Sequence, residues 1–158
     1  MAQYSLEKNL LTLSVRKSPF IIRLILWTLA FSFFIFPISS MIASIASGNG
    51  FHFGFLIGIG IFSLIGFFML RVSLWNTYGQ ETILFTNEEI IYEADYKWFK
   101  DAKKNITRNN ISYSAKASGY EEDNEGILVI QNETQTIECV VKMPQLEVEQ
   151  LAVFLRDR

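Results

Sequence analysis

Residues 24–70 read LILWTLAFSFFIFPISSMIASIASGNGFHFGFLIGIGIFSLIGFFML, a stretch without a single Asp, Glu, Lys or Arg. About 20 consecutive apolar residues allow a helix to cross a bilayer, and this stretch holds roughly two such lengths. Ser47-Gly48-Asn49-Gly50 interrupts it with a strong turn signal. We therefore expect a two-helix transmembrane hairpin over residues 19–71, with helices at about 20–46 and 51–70.

Basic residues flank this hairpin on one side only. Three of them precede the first helix, one lies within a turn of its start, one follows the second helix, and none lies in the turn between the helices: Lys8, Arg16, Lys17, Arg23 and Arg71. Because Lys and Arg accumulate on the cytoplasmic side of membrane proteins, we expect both termini in the cytoplasm. A cleaved signal peptide ending near Ser44-Ile45-Ala46 is the alternative, but the leading region and the apolar run are both too long for one.

Small residues on both predicted helices suggest how the helices meet. Gly54 and Gly58 form a small-xxx-small pair, while Ser39, Ala43 and Ser47 recur every four residues on the first helix. Helices pack in lipid through close backbone approach at such residues. We expect these five residues to pack the hairpin; a homodimer face is the alternative.

A short strand precedes the hairpin. Leu11, Leu13 and Val15 alternate with polar residues between Asn9 and Arg16, which is the pattern of a half-buried strand. A lone strand is not stable, so residues 1–18 are expected to join the sheet of the domain that follows the hairpin, residues 72–158.

Six further strands and one helix are expected beyond residue 72. Strands are predicted at about 79–86, 90–97, 103–108, 111–118, 126–132 and 135–142. After Pro144 the apolar period changes to that of a helix, expected at 144–157, with Leu146, Val148, Leu151, Phe154 and Leu155 at helical spacing. The fold class is thus a membrane α-helical hairpin plus an α+β domain of about seven antiparallel strands and a C-terminal helix.

This layout resembles a known family. A short strand, a two-helix hairpin, Leu74-Trp75 and Gly79-x-Glu81 leading into strands, Ile106 and Ile111 in the middle, and a closing Leu-rich helix are similar to bacterial membrane-anchored PH-like (pleckstrin-homology-like) proteins. The layout is also similar to the chloroplast photosystem I assembly factor family. The resemblance implies a PH-like cytoplasmic domain and a bacterial inner-membrane location with several spans.

Signs of catalysis are missing from the sequence. It contains no G-x-x-x-x-G-K, G-x-S-x-G, H-E-x-x-H or C-x-x-C motif, so we expect neither an enzyme nor a cofactor or metal site. Nine basic against fifteen acidic residues after position 71 argue against nucleic acid. Cys139, the only cysteine, rules out an intramolecular disulfide.

The segment from Tyr92 to Arg108 interleaves aromatic and basic residues. The candidate contacts for a partner or for lipid are Lys97, Trp98, Phe99, Lys100, Lys103 and Lys104. Aromatics flanked by lysines suit anionic headgroups or a protein partner. Alternatively, Tyr92, Tyr96 and Trp98 share one strand face and fill the core. We expect Trp98 to be partly buried and Phe99 to be the more exposed of the two, because strand neighbours point to opposite faces.

These features favour a non-catalytic adapter or assembly protein of the bacterial inner membrane. Its expected partners are the lipid bilayer and another membrane protein, and a homo-oligomer is compatible with the sequence. The alternatives are an immunity protein against a membrane-active toxin and a small oligomeric pore or transport subunit.

Overall fold

The computed structural model describes residues 3–119 and 121–157, and the chain divides into two units. One unit is the continuous segment Lys17–Thr77. The other, the sheet unit, combines the described residues up to Arg16 with those from Tyr78 onward. The helical unit is therefore inserted into the chain of the sheet unit.

Two long apolar helices form the helical unit. They are α1 (Phe20–Ala46) and α2 (Phe53–Tyr78), and both have the length and composition needed to cross a membrane. In the turn between them, Gly48 and Gly50 have φ of 80° and 76°, which suits residues without a Cβ. α2 continues about two turns beyond the predicted end at residue 70. The helix continues because neither Gly nor Pro lies between Arg71 and Gly79, although the apolar run itself stops at Arg71.

The described residues of the sheet unit form two antiparallel sheets, one α-helix and a short 3-10 helix, Glu121–Asp123. The first sheet has the order β1-β2-β3-β4-β5, and the second has β6-β7-β8 with β9 pairing with β7. The strands are β1 (Tyr4–Glu7), β2 (Leu10–Ser14), β3 (Gln80–Phe85), β4 (Glu89–Asp95), β5 (Lys100–Thr107), β6 (Ser112–Ala117), β7 (Glu125–Gln131), β8 (Thr136–Glu138) and β9 (Met143–Pro144).

Strand β2 precedes the helices along the chain, but its partner β3 follows them. Leu11 lies opposite Ile83, and Leu13 lies opposite Glu81. All four side chains are buried, so the alternation seen in the sequence places the apolar side of β2 in the interior. The sheet thus includes chain from both sides of the helical insertion.

The prediction of about seven strands is wrong, because residues 3–119 and 121–157 form nine. A hairpin through Lys8, whose φ is 51°, adds β1 to the edge of the first sheet. The predicted strand 135–142 is short, because the chain leaves the ladder after Glu138 and pairs again only at β9. The expected antiparallel strands, the two apolar helices and the C-terminal helix are confirmed, but the strands form two sheets where the sequence predicted one.

The C-terminal helix α3 (Gln145–Arg156) closes the core of the sheet unit. Val148, Leu151, Ala152 and Leu155 are buried on one side of α3, which packs on β6 and β7. Burying each large aliphatic side chain stabilises the fold by roughly 1.5–3 kcal/mol. On the outer side of the second sheet, the Lys116–Glu138 ion pair joins the strands that flank β7.

Candidate functional site

The turn between β4 and β5, residues 96–99, carries the aromatic residues singled out in the sequence; we call it the Trp98 turn. The backbone N–H of Tyr96 donates to the Phe99 carbonyl at 3.0 Å and closes the turn. The backbone N–H of Lys97 donates to Asp95 Oδ1 at 2.6 Å. Lys97 has a φ of 73°, so this carboxylate bond helps hold an unfavourable backbone conformation.

The exposure of Trp98 and Phe99 is the reverse of the prediction. The Trp98 side chain is 58% exposed, whereas the Phe99 ring is partly buried and stacks on Tyr96 with centroids 4.8 Å apart. Strand alternation does not extend to Trp98, because β4 ends at Asp95. Tyr92 and Tyr96 are buried, so the core interpretation holds for these two tyrosines and not for Trp98.

The four candidate lysines have different surroundings. Lys97 Nζ lies 4.2 Å from the centroid of the Tyr78 ring, which is a cation–π distance. Lys100 Nζ forms an ion pair with Glu93 at 2.9 Å; this hydrogen bond, with the charge of Glu93, raises the pKa of Lys100. Lys103 and Lys104 are exposed on β5. The structure therefore places a row of cationic side chains from the Trp98 turn along the edge strand of the first sheet.

The five small residues expected to pack α1 against α2 do not form a close contact between the helices. An added Cβ at Gly54 or Gly58 would meet no atom within 4 Å. Ser39, Ala43 and Ser47 are exposed. The expected close packing is therefore not found at these five residues.

The close approach of α1 and α2 occurs instead at Gly66. An added Cβ there would lie 2.8 Å from the Phe34 ring. The Phe62 ring packs beside Phe33 and Phe36, with centroids 5.9 and 6.3 Å away. Gly66 thus leaves the space that Phe34 occupies between the two backbones.

A buried carboxylate, Glu81, was not singled out as a site in the sequence. Its side chain has no exposed area. Oε1 accepts the Tyr92 hydroxyl at 2.5 Å and the Val140 N–H at 2.6 Å, while Oε2 accepts the Val141 N–H at 2.9 Å. The sequence does indicate its burial, because Glu81 is spaced two residues from Ile83, as Ile83 is from Phe85, and residues at that spacing share one face of a strand, here the interior face of β3.

Burial dominates the electrostatics of this cluster. Desolvation raises the pKa of Glu81 despite the opposing hydrogen bonds from Tyr92, Val140 and Val141. Burial, followed by the nearby Glu81 charge, raises the pKa of the Cys139 thiol. A buried thiol that holds its proton is a poor nucleophile. The cluster is suited to connecting strands rather than to nucleophilic chemistry.

The described part of the chain contains no cluster of potential metal ligands. Within residues 3–119 and 121–157, no group of three or more His, Cys, Asp or Glu side chains could hold an ion. His52 lies just before α2, beside the Phe55 ring.

Comparison with protein-family models, with curated proteins and with solved structures finds no match for this chain. The resemblance to membrane-anchored PH-like proteins therefore stays a prediction from the layout of the sequence.

Proposed function

We propose that this chain is a two-span protein of the bacterial inner membrane whose sheet unit is a non-catalytic adapter at the cytoplasmic surface. The observation that supports the proposal most is that two separate, short segments of the chain connect the two units. Residues 15–19 join β2 to α1, and Gly79 alone joins α2 to β3. Since each residue extends the chain by at most about 3.6 Å, spans in a bilayer would keep the sheet unit at its surface.

The distribution of basic residues supports the cytoplasmic side. Arg16 and Lys17 lie in the first connection, Arg23 lies in the first turn of α1, and Arg71 lies in the last part of α2. The turn at residues 47–50 has no charged residue. The positive-inside bias then places the sheet unit in the cytoplasm and this turn outside.

The apolar surface of the sheet unit supports a protein partner. Four aliphatic or aromatic side chains of the region from β8 to α3 are more than half exposed: Val140, Leu146, Val153 and Phe154. Val153 and Phe154 are adjacent on α3, and exposed apolar side chains that lie together on a folded domain commonly mark protein contacts. Between Leu24 and Leu70, by contrast, the chain has no Asp, Glu, Lys or Arg of the kind that lines ion or proton paths, and its one histidine, His52, lies outside both helices.

Cysteine labelling tests the topology. Cys139 is only 1% exposed and should stay unlabelled, so single cysteines can be added to the otherwise natural chain. With a membrane-impermeant maleimide on intact cells, we expect Asn49→Cys to react. Asn87→Cys, in the β3–β4 turn, should react only after the membrane is opened. Reaction of Asn87→Cys in intact cells would reverse the proposed orientation.

Crosslinking in native membranes tests the adapter role. A photoreactive amino acid at Phe154 should give a discrete adduct with another membrane protein, identified by mass spectrometry, and the same probe at Asn87 should not. An adduct only with a second copy of the chain would argue for a homo-oligomer. Ion flux through liposomes containing the purified chain would contradict the proposal in favour of a pore.

A further inference from the structure

We infer that the Trp98 turn rests in the anionic headgroup layer of the membrane and fixes that end of the first sheet against the lipid surface. The inference rests on the proposed function, because it takes α1 and α2 as membrane spans. It assigns a lipid contact to a turn that the sequence alone left open between lipid, protein and core.

Strand register places the Trp98 turn at one particular end of the sheet. Ser14 pairs with Gln80, Gln80 with Asp95, and Asp95 with Lys100. Ser14 is the last residue of β2 before the connection to α1, and Gln80 is the first residue of β3 after α2. Both connections to the apolar helices therefore leave the sheet at the end where β4 turns into β5.

A direct contact within the sheet unit agrees with this register. Lys97 Nζ lies over the ring of Tyr78, the residue at which α2 ends and the sheet unit resumes. Val15 donates its N–H to the Gly79 carbonyl at 3.0 Å, so the two connections are hydrogen-bonded to each other beside the turn. Exposed Arg16 adds a further cation at this end of the sheet.

The chemistry of the turn fits the interfacial layer of a bilayer. Indole rings concentrate at the membrane–water boundary, and lysines near the surface are attracted to anionic lipids. The Trp98 ring is 58% exposed, while its neighbour Phe99 is stacked on Tyr96. The bond from Lys97 N–H to Asp95 holds the backbone of the turn in place, so little backbone freedom has to be lost on contact.

The opposite end of the same sheet has a different composition. The β3–β4 turn there is Asn87-Glu88, and the β1–β2 turn is Lys8-Asn9. The bond from Phe85 N–H to the Asn9 carbonyl brings these two turns to one end. None of these four turn residues is aromatic or aliphatic. An aromatic tip thus occurs where the connections to the spans leave the sheet, and polar tips occur at the far end.

Depth-dependent quenching in lipid nanodiscs tests the inference with the full chain. An environment-sensitive fluorophore is placed on a cysteine at one of three positions: Trp98→Cys at the turn, Asn87→Cys at the far end, or Leu64→Cys in the middle of α2. Nitroxide groups are carried either by the lipid headgroup or deep in the acyl chain. We expect headgroup nitroxides to quench the label at position 98 several-fold more than the label at position 87. Acyl nitroxides should quench the label at position 64.

The three labels separate the possible failures. Suppose that acyl nitroxides quench the label at position 64, but headgroup nitroxides quench the label at position 98 no more than the label at position 87. That result would overturn the lipid contact and favour a protein partner for the turn. A label at position 64 that escapes the acyl nitroxides would instead overturn the membrane spans and with them the proposed function. The Trp98→Cys variant should lose far less melting temperature than a variant truncated at the fully buried Leu11, since the Trp98 ring is 58% exposed.

Charge reversal tests the anionic part of the inference. In nanodiscs of phosphatidylcholine with added phosphatidylglycerol, Lys97→Glu should reduce quenching of the label at position 98, and the loss should be smaller in phosphatidylcholine alone. Lys8→Glu is the matched control, because Lys8 also occupies a positive-φ turn position but lies at the far end. Equal effects of the two reversals, or no effect of Lys97→Glu in either lipid, would contradict an anionic-headgroup contact.

Discussion

The Glu81 carboxylate accepts a hydrogen bond from the Tyr92 hydroxyl at 2.5 Å, between two side chains that point inward from the neighbouring strands β3 and β4. The same carboxylate accepts the backbone N–H groups of Val140 and Val141, in the segment that follows β8. This segment has left the ladder of the second sheet, so its N–H groups need another acceptor. Glu81 supplies it and thereby connects the first sheet to the chain between β8 and β9.

Replacing Glu81 by Gln should destabilise the sheet unit by about 1–3 kcal/mol, the cost of a buried unpaired donor. The amide nitrogen of Gln would face either the Val140 or the Val141 N–H, whichever way the side chain is turned. Glu93→Gln is the matched control, because Glu93 lies on the same sheet in an outer ion pair with Lys100, a kind of pair that contributes only about 0–1 kcal/mol. Thermal melting in detergent, followed by circular dichroism, measures both. Equal losses in the two variants would show that the buried carboxylate has no special role.

The stability that Glu81 provides should depend on pH in a defined direction. Burial raises its pKa in the folded chain above the ordinary value of 4.5, so the folded state holds a proton that the unfolded state has already released. The contribution of Glu81 is therefore complete below about pH 4.5 and is lost as the pH rises through the folded pKa.

The measurement is the difference in melting temperature between the natural chain and Glu81→Gln, taken from pH 4.5 upward. Because Gln does not titrate, the difference isolates this carboxyl. It should shrink as the pH rises, and a difference that grows with pH would reverse the predicted sign.

The strand before the helices should be an essential part of the sheet unit. Leu11 is fully buried opposite Ile83, whereas its neighbour Leu10 points outward and is 38% exposed. Leu11→Ala should cost about 2–5 kcal/mol, since it removes a core side chain and leaves a cavity. Leu10→Ala, the same chemical change one residue away, should cost much less. Similar melting of the two variants would mean that β2 contributes little to the core.

Two glycines of α2 should respond differently to the same substitution. Gly66→Val would drive a branched side chain into the Phe34 ring, 2.8 Å from the new Cβ, whereas Gly58→Val would enter open space. We expect Gly66→Val to weaken the contact between α1 and α2, because overpacking a close contact commonly costs about 1–3 kcal/mol. Disulfide formation between cysteines placed at Phe33 and Phe62 reports the contact. Loss of the crosslink in Gly58→Val but not in Gly66→Val would place the close approach where the sequence predicted it.

Several elements could be predicted because one local pattern determines each of them. α1 follows from a long apolar run whose only charged residue is Arg23, in its first turn, because a helix satisfies the hydrogen bonds of the backbone in an apolar environment. The 3.6-residue period of Val148, Leu151 and Leu155 indicated α3, and alternation at Leu11 and Leu13 indicated β2. For α3 and β2 the periodicity of neighbouring side chains determines the prediction.

The tertiary structure decided which side chains meet. Trp98 is exposed because β4 stops at Asp95, a boundary that alternation alone cannot locate. Gly66, rather than Gly54 or Gly58, meets the other helix because the rotation and axial offset of two helices depend on packing along their whole length. The backbone donors to Glu81 lie about 60 residues away in the chain, at Val140 and Val141. A buried carboxylate is stable only when distant backbone supplies its partners, and that pairing exists only once the two sheets have folded together.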